Sequence, residues 1–126
     1  AGTVSVPVSY SVENGHTVCL SVDFEKHVDA DAALEVLRDW QGDECARGLP
    51  SAPPRALVVT DAADRPQPRR DVDAGRGMTV TVGRVREDPL FDVKLVAMGH
   101  NTVRGAAGAS VLNAELLVAT GQAGLA

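Results

Sequence analysis

The chain has 126 residues, a net charge of −5 and an apolar content of 44%, with aromatic residues making up only 3%. This length suits one domain with a core of Val, Leu and Ala, so residues 1–126 are treated as a single domain. The acidic charge and the lack of a basic stripe with interleaved aromatic residues exclude a typical nucleic-acid-binding surface. No apolar run approaches the roughly 18 residues of a membrane span and no signal peptide is recognisable, which predicts a cytoplasmic protein without membrane contact.

The first part of the chain predicts a β-hairpin. Residues 3–10 alternate valine with polar residues, and Pro7 among them indicates a strand at a sheet edge. A Glu-Asn-Gly turn follows at residues 13–15, and residues 16–24 alternate again. Two alternating segments around a glycine turn are typical of paired antiparallel strands.

The hydrophobic period then changes to that of a helix. Asp29 is a candidate N-cap and Gly42 a candidate helix end. Between them, four apolar residues recur on one face, namely Ala33, Leu34, Leu37 and Trp40. We therefore expect these four side chains to face the core.

The remaining elements alternate between strands and irregular segments. We predict a loop at residues 43–54, strands at 55–60, 78–87 and 92–101, an irregular arm at 61–77, and a helix at 102–119. The order β, β, α, β, β, β, α predicts an α+β domain with a mostly antiparallel sheet and helices on one face.

The two cysteines, Cys19 and Cys45, form no C-x-x-C pair and have no histidine at metal-ligand spacing. An isolated pair of this kind is typical of reduced thiols. The sequence therefore predicts neither a disulfide nor a metal site.

Several segments carry a family resemblance: DRPQPRRD, GMTVTVGRVREDPLFDVK, HNTVRGAAGASVLNAE, and the VPV and GHT runs near the start. Together, over residues 4–121, they closely resemble the C-terminal (dimerisation and substrate) domain of aspartate-semialdehyde dehydrogenases of the archaeal and fungal branch, to which malonyl-CoA reductases also belong. The resemblance implies a homodimer built on the sheet of residues 78–87 and 94–101. It implies NADP as the cofactor of the family and leaves the substrate open.

The same resemblance places a catalytic histidine at His16. A histidine can take and return a proton near neutral pH, and Tyr10, Glu13 and Cys19 are neighbours that could assist it. Cys19 lies three residues further along a strand, however, where side chains point to the opposite face.

The segment after the last strand resembles the part of the family that lies near the nicotinamide of NADP. Its candidate contact residues are Asn101, Thr102, Gly105 and Ala106. The alternative is simple helix packing, with Asn101 or Thr102 as the helix cap.

Other features of the family are missing from the sequence. It contains no G-x-G-x-x-G turn, and the nucleophilic cysteine of the family precedes the matched stretch. The arginine that holds the substrate carboxylate falls at Ser9 or, when aligned on VPV, at Ser5, and the acidic residue after GHT is replaced by Val18. We therefore expect no cofactor to bind to this chain alone.

Three functions remain open. The first is a freestanding dimeric domain without redox chemistry that binds a small molecule or transfers protons around His16. The second is a fragment or subunit of an NADP-dependent aspartate-semialdehyde dehydrogenase completed by another chain, and the third is a structural or regulatory dimerisation module. Loss of the arginine favours the first and third.

The arm at residues 61–77 also has two interpretations. Its three arginines in DRPQPRRD, beside Asp64, Asp71 and Asp73, could bind a carboxylate or a phosphate. The commoner outcome is an arm held by its own ion pairs or by a partner subunit.

Overall fold

The computed structural model describes residues 2–8 and 13–122. Its strands are β1 (Gly2–Val8), β2 (His16–Asp23), β3 (Leu57–Thr60), β4 (Val80–Glu87) and β5 (Val93–Gly99). Its helices are α1 (Ala30–Asp39), the short α2 (Pro68–Asp71) and α3 (Gly108–Ala119), the last preceded by a π-helical turn at Val103–Ala107. None of the helices in these two ranges is long and apolar enough to cross a membrane.

The strands form one five-stranded sheet in the order β1-β2-β5-β4-β3. Strands β1, β2, β5 and β4 pair antiparallel in turn, and only β3 is parallel to its neighbour β4. The predicted hairpin of β1 and β2 is confirmed, and β1, which contains Pro7, lies at a sheet edge as expected. The predicted α+β class with a mostly antiparallel sheet is confirmed.

The core lies between one face of the sheet and α1. Val82, Val93 and Leu95 are its buried centre, and Ala33 and Leu37 of α1 pack against them. These strand residues share a face because they alternate along strands whose partners are in register. Burying such aliphatic side chains contributes about 1.5–3 kcal/mol each.

Helix α1 begins where the sequence predicts and ends slightly earlier. The side chain of Asp29 accepts a hydrogen bond from the Ala32 N–H at 2.7 Å, which confirms the N-cap. The last helical residue is Asp39, and Trp40 already has an extended backbone. Trp40 is 47% exposed for this reason, so its predicted place on the core face is wrong.

The predicted arm at 61–77 lies against the opposite face of the sheet. A side chain on Gly83 of β4 would come within 2.7 Å of the Arg65 carbonyl oxygen and 3.1 Å of the Pro66 ring. Only glycine lets the arm approach the sheet this closely. The arm is more regular than predicted, because residues Pro68–Asp71 form α2.

The predicted helix at 102–119 is divided into the π-helical turn and α3. A side chain on Gly108, where the two meet, would lie 2.5 Å from the Met78 sulfur and 2.9 Å from the Val103 carbonyl oxygen. Because the π-helical turn is wider than an α-helical one and Gly108 has no side chain, the backbone at Gly108 lies directly against Met78. The hydrophobic period of the sequence does not reveal this contact.

Candidate functional site

A cleft of about 430 Å³ lies where the start of β2 meets the end of β5. His16 is the first residue of β2 and stands opposite Gly99, the last residue of β5. Six residues that matter for its chemistry line the cleft: His16, Val18, Gly99, Asn101, Arg104 and Gly105. The cleft thus joins the Gly-His-Thr segment to the segment that follows the last strand.

The backbone in front of His16 is fixed by two contacts of Gly15. Its N–H donates to the Asn101 side-chain oxygen at 3.0 Å. Its φ of +118° is in the region that favours glycine, and a side chain there would lie 3.0 Å from Cβ of Pro68 in α2. The imidazole of His16 is exposed, but these two contacts hold the backbone of the turn before it in place.

His100 holds the other wall of the cleft. It is buried, and its Nδ1 accepts hydrogen bonds from the backbone N–H groups of Thr102 and Val103 at 3.3 and 3.2 Å. An accepting Nδ1 places the proton of the neutral ring on Nε2. Thr102 is the N-cap residue of the π-helical turn, one of the two positions predicted, but its side chain makes no capping hydrogen bond. The ring of His100 accepts the N–H groups of the turn instead, and the Asn101 side-chain oxygen accepts from Gly15.

Arg104 is the second residue that sequence reasoning missed. It lies in the π-helical turn, is half-buried, and lines the same cleft as His16. Among residues 2–8 and 13–122 it has neither an ion pair nor a side-chain hydrogen bond. The only signal in the sequence was its place in the family-like segment, since the fold is needed to bring it beside β2.

The candidate neighbours of His16 are not gathered around it. Glu13 is exposed in the turn before Gly15, and Tyr10 lies outside the described residues. Cys19 borders a different cleft, together with Thr17 and Val96, on the opposite face of the sheet. The structure therefore separates Cys19 from His16.

Only two of the four candidate nucleotide-contact residues line the cleft. Asn101 and Gly105 line the cleft, while Thr102 and Ala106 are exposed nearby in the chain and do not line it. Gly105, Ala106 and Ala107 are all exposed, which leaves a surface of small residues beside the cleft. Small side chains of this kind allow another group to approach the backbone closely.

The remaining histidine is engaged elsewhere. His27 Nδ1 lies 2.6 Å from Asp92 Oδ1, and the hydrogen bond and charge of Asp92 raise the pKa of His27. The pKa of Asp92 is lowered, first by the Phe24 N–H that donates to it at 2.8 Å and then by His27. This pair connects the end of β2 to the start of β5.

Two further groups of side chains are the possible metal ligands and the two cysteines. No group of three or more His, Cys, Asp or Glu side chains in the part of the chain that the structure describes could hold a metal ion. Cys19 is a half-buried free thiol and Cys45 an exposed one.

Known proteins resemble this chain closely. The family model "Semialdehyde dehydrogenase, dimerisation domain" matches residues 1–104. The aspartate-semialdehyde dehydrogenase of Archaeoglobus fulgidus is 47% identical over 110 residues, which are 85% of this chain and 30% of that protein. The enzyme of Methanothermobacter thermautotrophicus is 48% identical over 108 residues, covering 84% of this chain and 31% of the relative.

The fold agrees with the sequence match. The crystal structure of aspartate semialdehyde dehydrogenase with NADP from Candida albicans superimposes with a TM-score of 0.73 at 43% identity, over 86% of this chain and 31% of that one. The chain thus spans about three-tenths of the length of these relatives. It belongs to the semialdehyde dehydrogenase family, in which it corresponds to the dimerisation domain.

Proposed function

We propose that this domain supplies the acid/base histidine and a substrate-binding arginine to an NADP-dependent aspartate-semialdehyde dehydrogenase. The observation that carries the proposal is that His16 and Arg104 line one cleft. The nucleophilic cysteine and the nucleotide-binding part of the enzyme would be supplied from outside this domain. The names of the relatives support the reaction class.

His16 suits the proton-transfer role. An imidazole can accept a proton and return it near neutral pH. The side chain is exposed at the cleft, and the Gly15–Asn101 hydrogen bond limits the freedom of the preceding turn. A substrate entering the cleft could therefore meet the ring without a large backbone movement.

Arg104 suits the binding of the substrate carboxylate. A guanidinium can donate two parallel hydrogen bonds to a carboxylate, a geometry that lysine does not reproduce. Arg104 has no carboxylate partner among the described residues, so it is available for one. It would take the role of the family arginine, whose aligned positions, Ser5 and Ser9, are serines in this sequence.

The cofactor would meet only the edge of this domain. When bound, NADP supplies the hydride acceptor. Asn101, Thr102, Gly105 and Ala106 would contact its nicotinamide end, because the exposed small residues there allow close approach. The phosphates of the cofactor would need a glycine-rich turn, which this sequence does not contain.

A second candidate is a freestanding dimeric domain with no redox chemistry, which binds or isomerises a small molecule at His16. It is favoured by the serines at the arginine positions and by Val18, which lines the cleft where the family carries an acidic residue. A cleft with fewer charged groups would suit a less charged ligand.

A chimera separates the two candidates. The matching 108-residue segment of the M. thermautotrophicus enzyme is replaced by this domain, and NADP-dependent oxidation of aspartate semialdehyde is measured. We expect turnover by the chimera and none by the 126-residue chain alone. A chimera that is folded by circular dichroism, binds NADP and still shows no turnover would rule out the dehydrogenase role and favour the freestanding one.

A further inference from the structure

A pocket of about 200 Å³ lies between the end of α1, the loop that follows it and α3. Its apolar wall is formed by six residues: Trp40, Ala52, Pro53, Ala56, Leu112 and Leu116. Arg104 lines this Trp40 pocket as well, and the same residue lines the His16 cleft. The volume is below the roughly 300 Å³ at which sites for drug-sized ligands begin, so it suits a compact molecule.

The Trp40 pocket lies on the α1 side of the sheet. His16 and Val18, which line the adjoining cleft, alternate along β2 with residues of the other face, and Leu20 continues their side into the core beneath α1. Cys19 and Val96 lie on the other face. A second copy of the chain that covers the face of Cys19 and Val96 would therefore leave the Trp40 pocket open.

The position of Trp40 in this pocket follows from the end of α1. The last helical residue is Asp39, Trp40 has an extended backbone, and Gly42 follows with a φ of +85°. A side chain on Gly42 would lie 3.2 Å from Cβ of Ala56, so the chain turns closely past the start of β3. The half-exposed indole thus lines the pocket instead of the core. Aromatic and aliphatic side chains together are the usual lining of small-molecule sites.

Hydrogen bonds hold the loop wall of the pocket against α3. Ser51 donates both its N–H and its hydroxyl to the Glu115 carboxylate of α3, at 2.9 and 2.8 Å. Within the loop, the Ala52 N–H donates to the Leu49 carbonyl oxygen at 3.0 Å. A ligand would therefore meet a largely preformed pocket, which lowers the entropic cost of binding.

Arg104 gives the pocket a positive charge that the described part of the chain does not neutralise. Its side chain is half-buried and has neither an ion pair nor a hydrogen bond within that part. The two other charged residues that line the pocket there are exposed and already engaged. Asp43 accepts from the Cys45 N–H at 2.8 Å, and Arg47 pairs with Glu44 at 2.9 Å. A half-buried cation without a counter-charge is costly, and a bound anion would offset that cost.

We propose that the Trp40 pocket binds a small carboxylic acid with a branched apolar group. The carboxylate would accept paired hydrogen bonds from Arg104, a geometry that suits a guanidinium. The apolar group would lie against Trp40 and Leu116. An α-ammonium group could face the exposed carboxylate of Asp43, so free acids and apolar amino acids share this chemistry. Binding of the acid does not depend on the dehydrogenase role.

The fluorescence of Trp40, the only tryptophan of the chain, measures this binding directly. The 126-residue chain is titrated with 4-methylpentanoate, with its α-amino derivative leucine and with the neutral 4-methylpentanamide, and calorimetry detects any ligand that binds without changing the emission. We expect saturable binding of at least one of the two acids. The amide should bind roughly tenfold or more weakly than 4-methylpentanoate, because it forms no charge-assisted hydrogen bond with Arg104.

Three variants test the residues of the pocket. Arg104→Gln should weaken binding of the acid by roughly tenfold or more, the usual effect of losing a hydrogen bond between charged groups. Arg38→Gln removes the same charge from an exposed arginine that is paired with Asp61 outside the pocket, and it should leave the affinity unchanged. Leu116→Phe should fill the pocket and block binding without changing the circular dichroism. Absence of saturable binding by both methods, an amide that binds as tightly as the acids, or equal weakening by the two arginine variants would overturn the proposal.

The shared arginine also gives the pocket a regulatory consequence, which rests on the proposed function. An acid bound to Arg104 from the Trp40 pocket would occupy the group assigned to the substrate carboxylate. In an active chimera, 4-methylpentanoate or leucine should therefore raise KM for aspartate semialdehyde and change kcat little. An unchanged KM despite binding would show that the two sites do not compete for Arg104. An inactive chimera would count against the dehydrogenase role alone, since the titrations of the 126-residue chain test the pocket without it.

Discussion

The three histidines of the chain occupy three different environments. His16 is exposed at a cleft, His100 is buried with Nδ1 accepting two backbone hydrogen bonds, and His27 is paired with Asp92. His16 could be selected from its Gly-His-Thr neighbours in the sequence. The role of His100 could not, because it depends on the turn after β5, in which His100 and Val103 pack closely against Gly77, a residue distant in sequence.

The His27–Asp92 pair predicts a pH dependence of stability. The folded-state pKa of His27 is raised above its ordinary value of 6.5, so its contribution is complete below about pH 6.5 and is lost as pH rises through the folded pKa. The pKa of Asp92 is lowered from 3.8, so its contribution is lost as pH falls below that value. The pair is therefore most stabilising between these two values.

Urea unfolding of the wild type and of His27→Gln at several pH values measures this effect. We expect the variant to be less stable at about pH 5.5 and the difference to shrink by about pH 8.5. His16→Gln serves as the control and should show no such pattern, since His16 is exposed and its side chain has no hydrogen-bond partner among the described residues. A constant difference across the range would contradict the role given to His27.

At the scale of elements, the first part of the arm at 61–77 depends on one buried carboxylate. Asp71 is 3% exposed and accepts hydrogen bonds from the Arg65 guanidinium and from the Gln67 N–H, the latter at 2.6 Å. Burial alone would raise the pKa of Asp71, but these two hydrogen bonds outweigh it and the pKa lies below its ordinary value. The carboxylate thus connects both ends of α2 to the start of the arm.

Asp71→Asn should therefore lower the free energy of unfolding by about 2–3 kcal/mol, because it removes hydrogen bonds that involve charged groups. Asp64→Asn is the matched control: it breaks the exposed pair with Arg70, which should change stability little. Urea denaturation compares the two variants. Equal losses would show that the arm is not anchored through Asp71.

The strands and helix that could be predicted from the sequence are those whose hydrophobic residues follow a regular period along the chain. Alternation located β1 and β2, and the helical period with the Asp29 cap located α1. The pattern could not indicate α2 or the division of the last helix. Those features depend on contacts distant in sequence, namely Arg65 against Gly83 and Gly108 against Met78.

At the scale of the whole molecule, one sheet face retains exposed valines. Val4 and Val6 of β1 are 50% and 56% exposed, and Val58 of β3 is 38% exposed. Val6 is opposite Cys19, and the strand register places all three on the face that is not covered by α1. The match to a dimerisation domain suggests that a second copy covers this face.

Sedimentation velocity at micromolar concentration should therefore show a homodimer. Val6→Lys should weaken association by roughly tenfold or more, because a charge would be buried without a partner. Val36→Lys, a matched change on the exposed side of α1, should leave the dimer intact. A wild-type monomer at these concentrations would count against the predicted subunit contact.

The two residues of the candidate site were not equally predictable. The resemblance identified His16 from a three-residue segment. Arg104 was recognised only when the fold placed the π-helical turn beside the start of β2. The sequence showed that the arginine of the family is replaced by serine at Ser5 or Ser9. It did not show that Arg104 lies in the same cleft as His16.

The kinetics of the chimera with two substitutions test the central claim, that His16 and Arg104 form one substrate site. In His16→Ala, we expect kcat to fall by about 10² to 10⁴-fold, the usual contribution of a general acid or base. In Arg104→Gln, we expect KM for aspartate semialdehyde to rise by roughly tenfold or more with a smaller change in kcat, because a ground-state contact to the carboxylate is lost. A normal kcat in His16→Ala, or a normal KM in Arg104→Gln, would contradict the account.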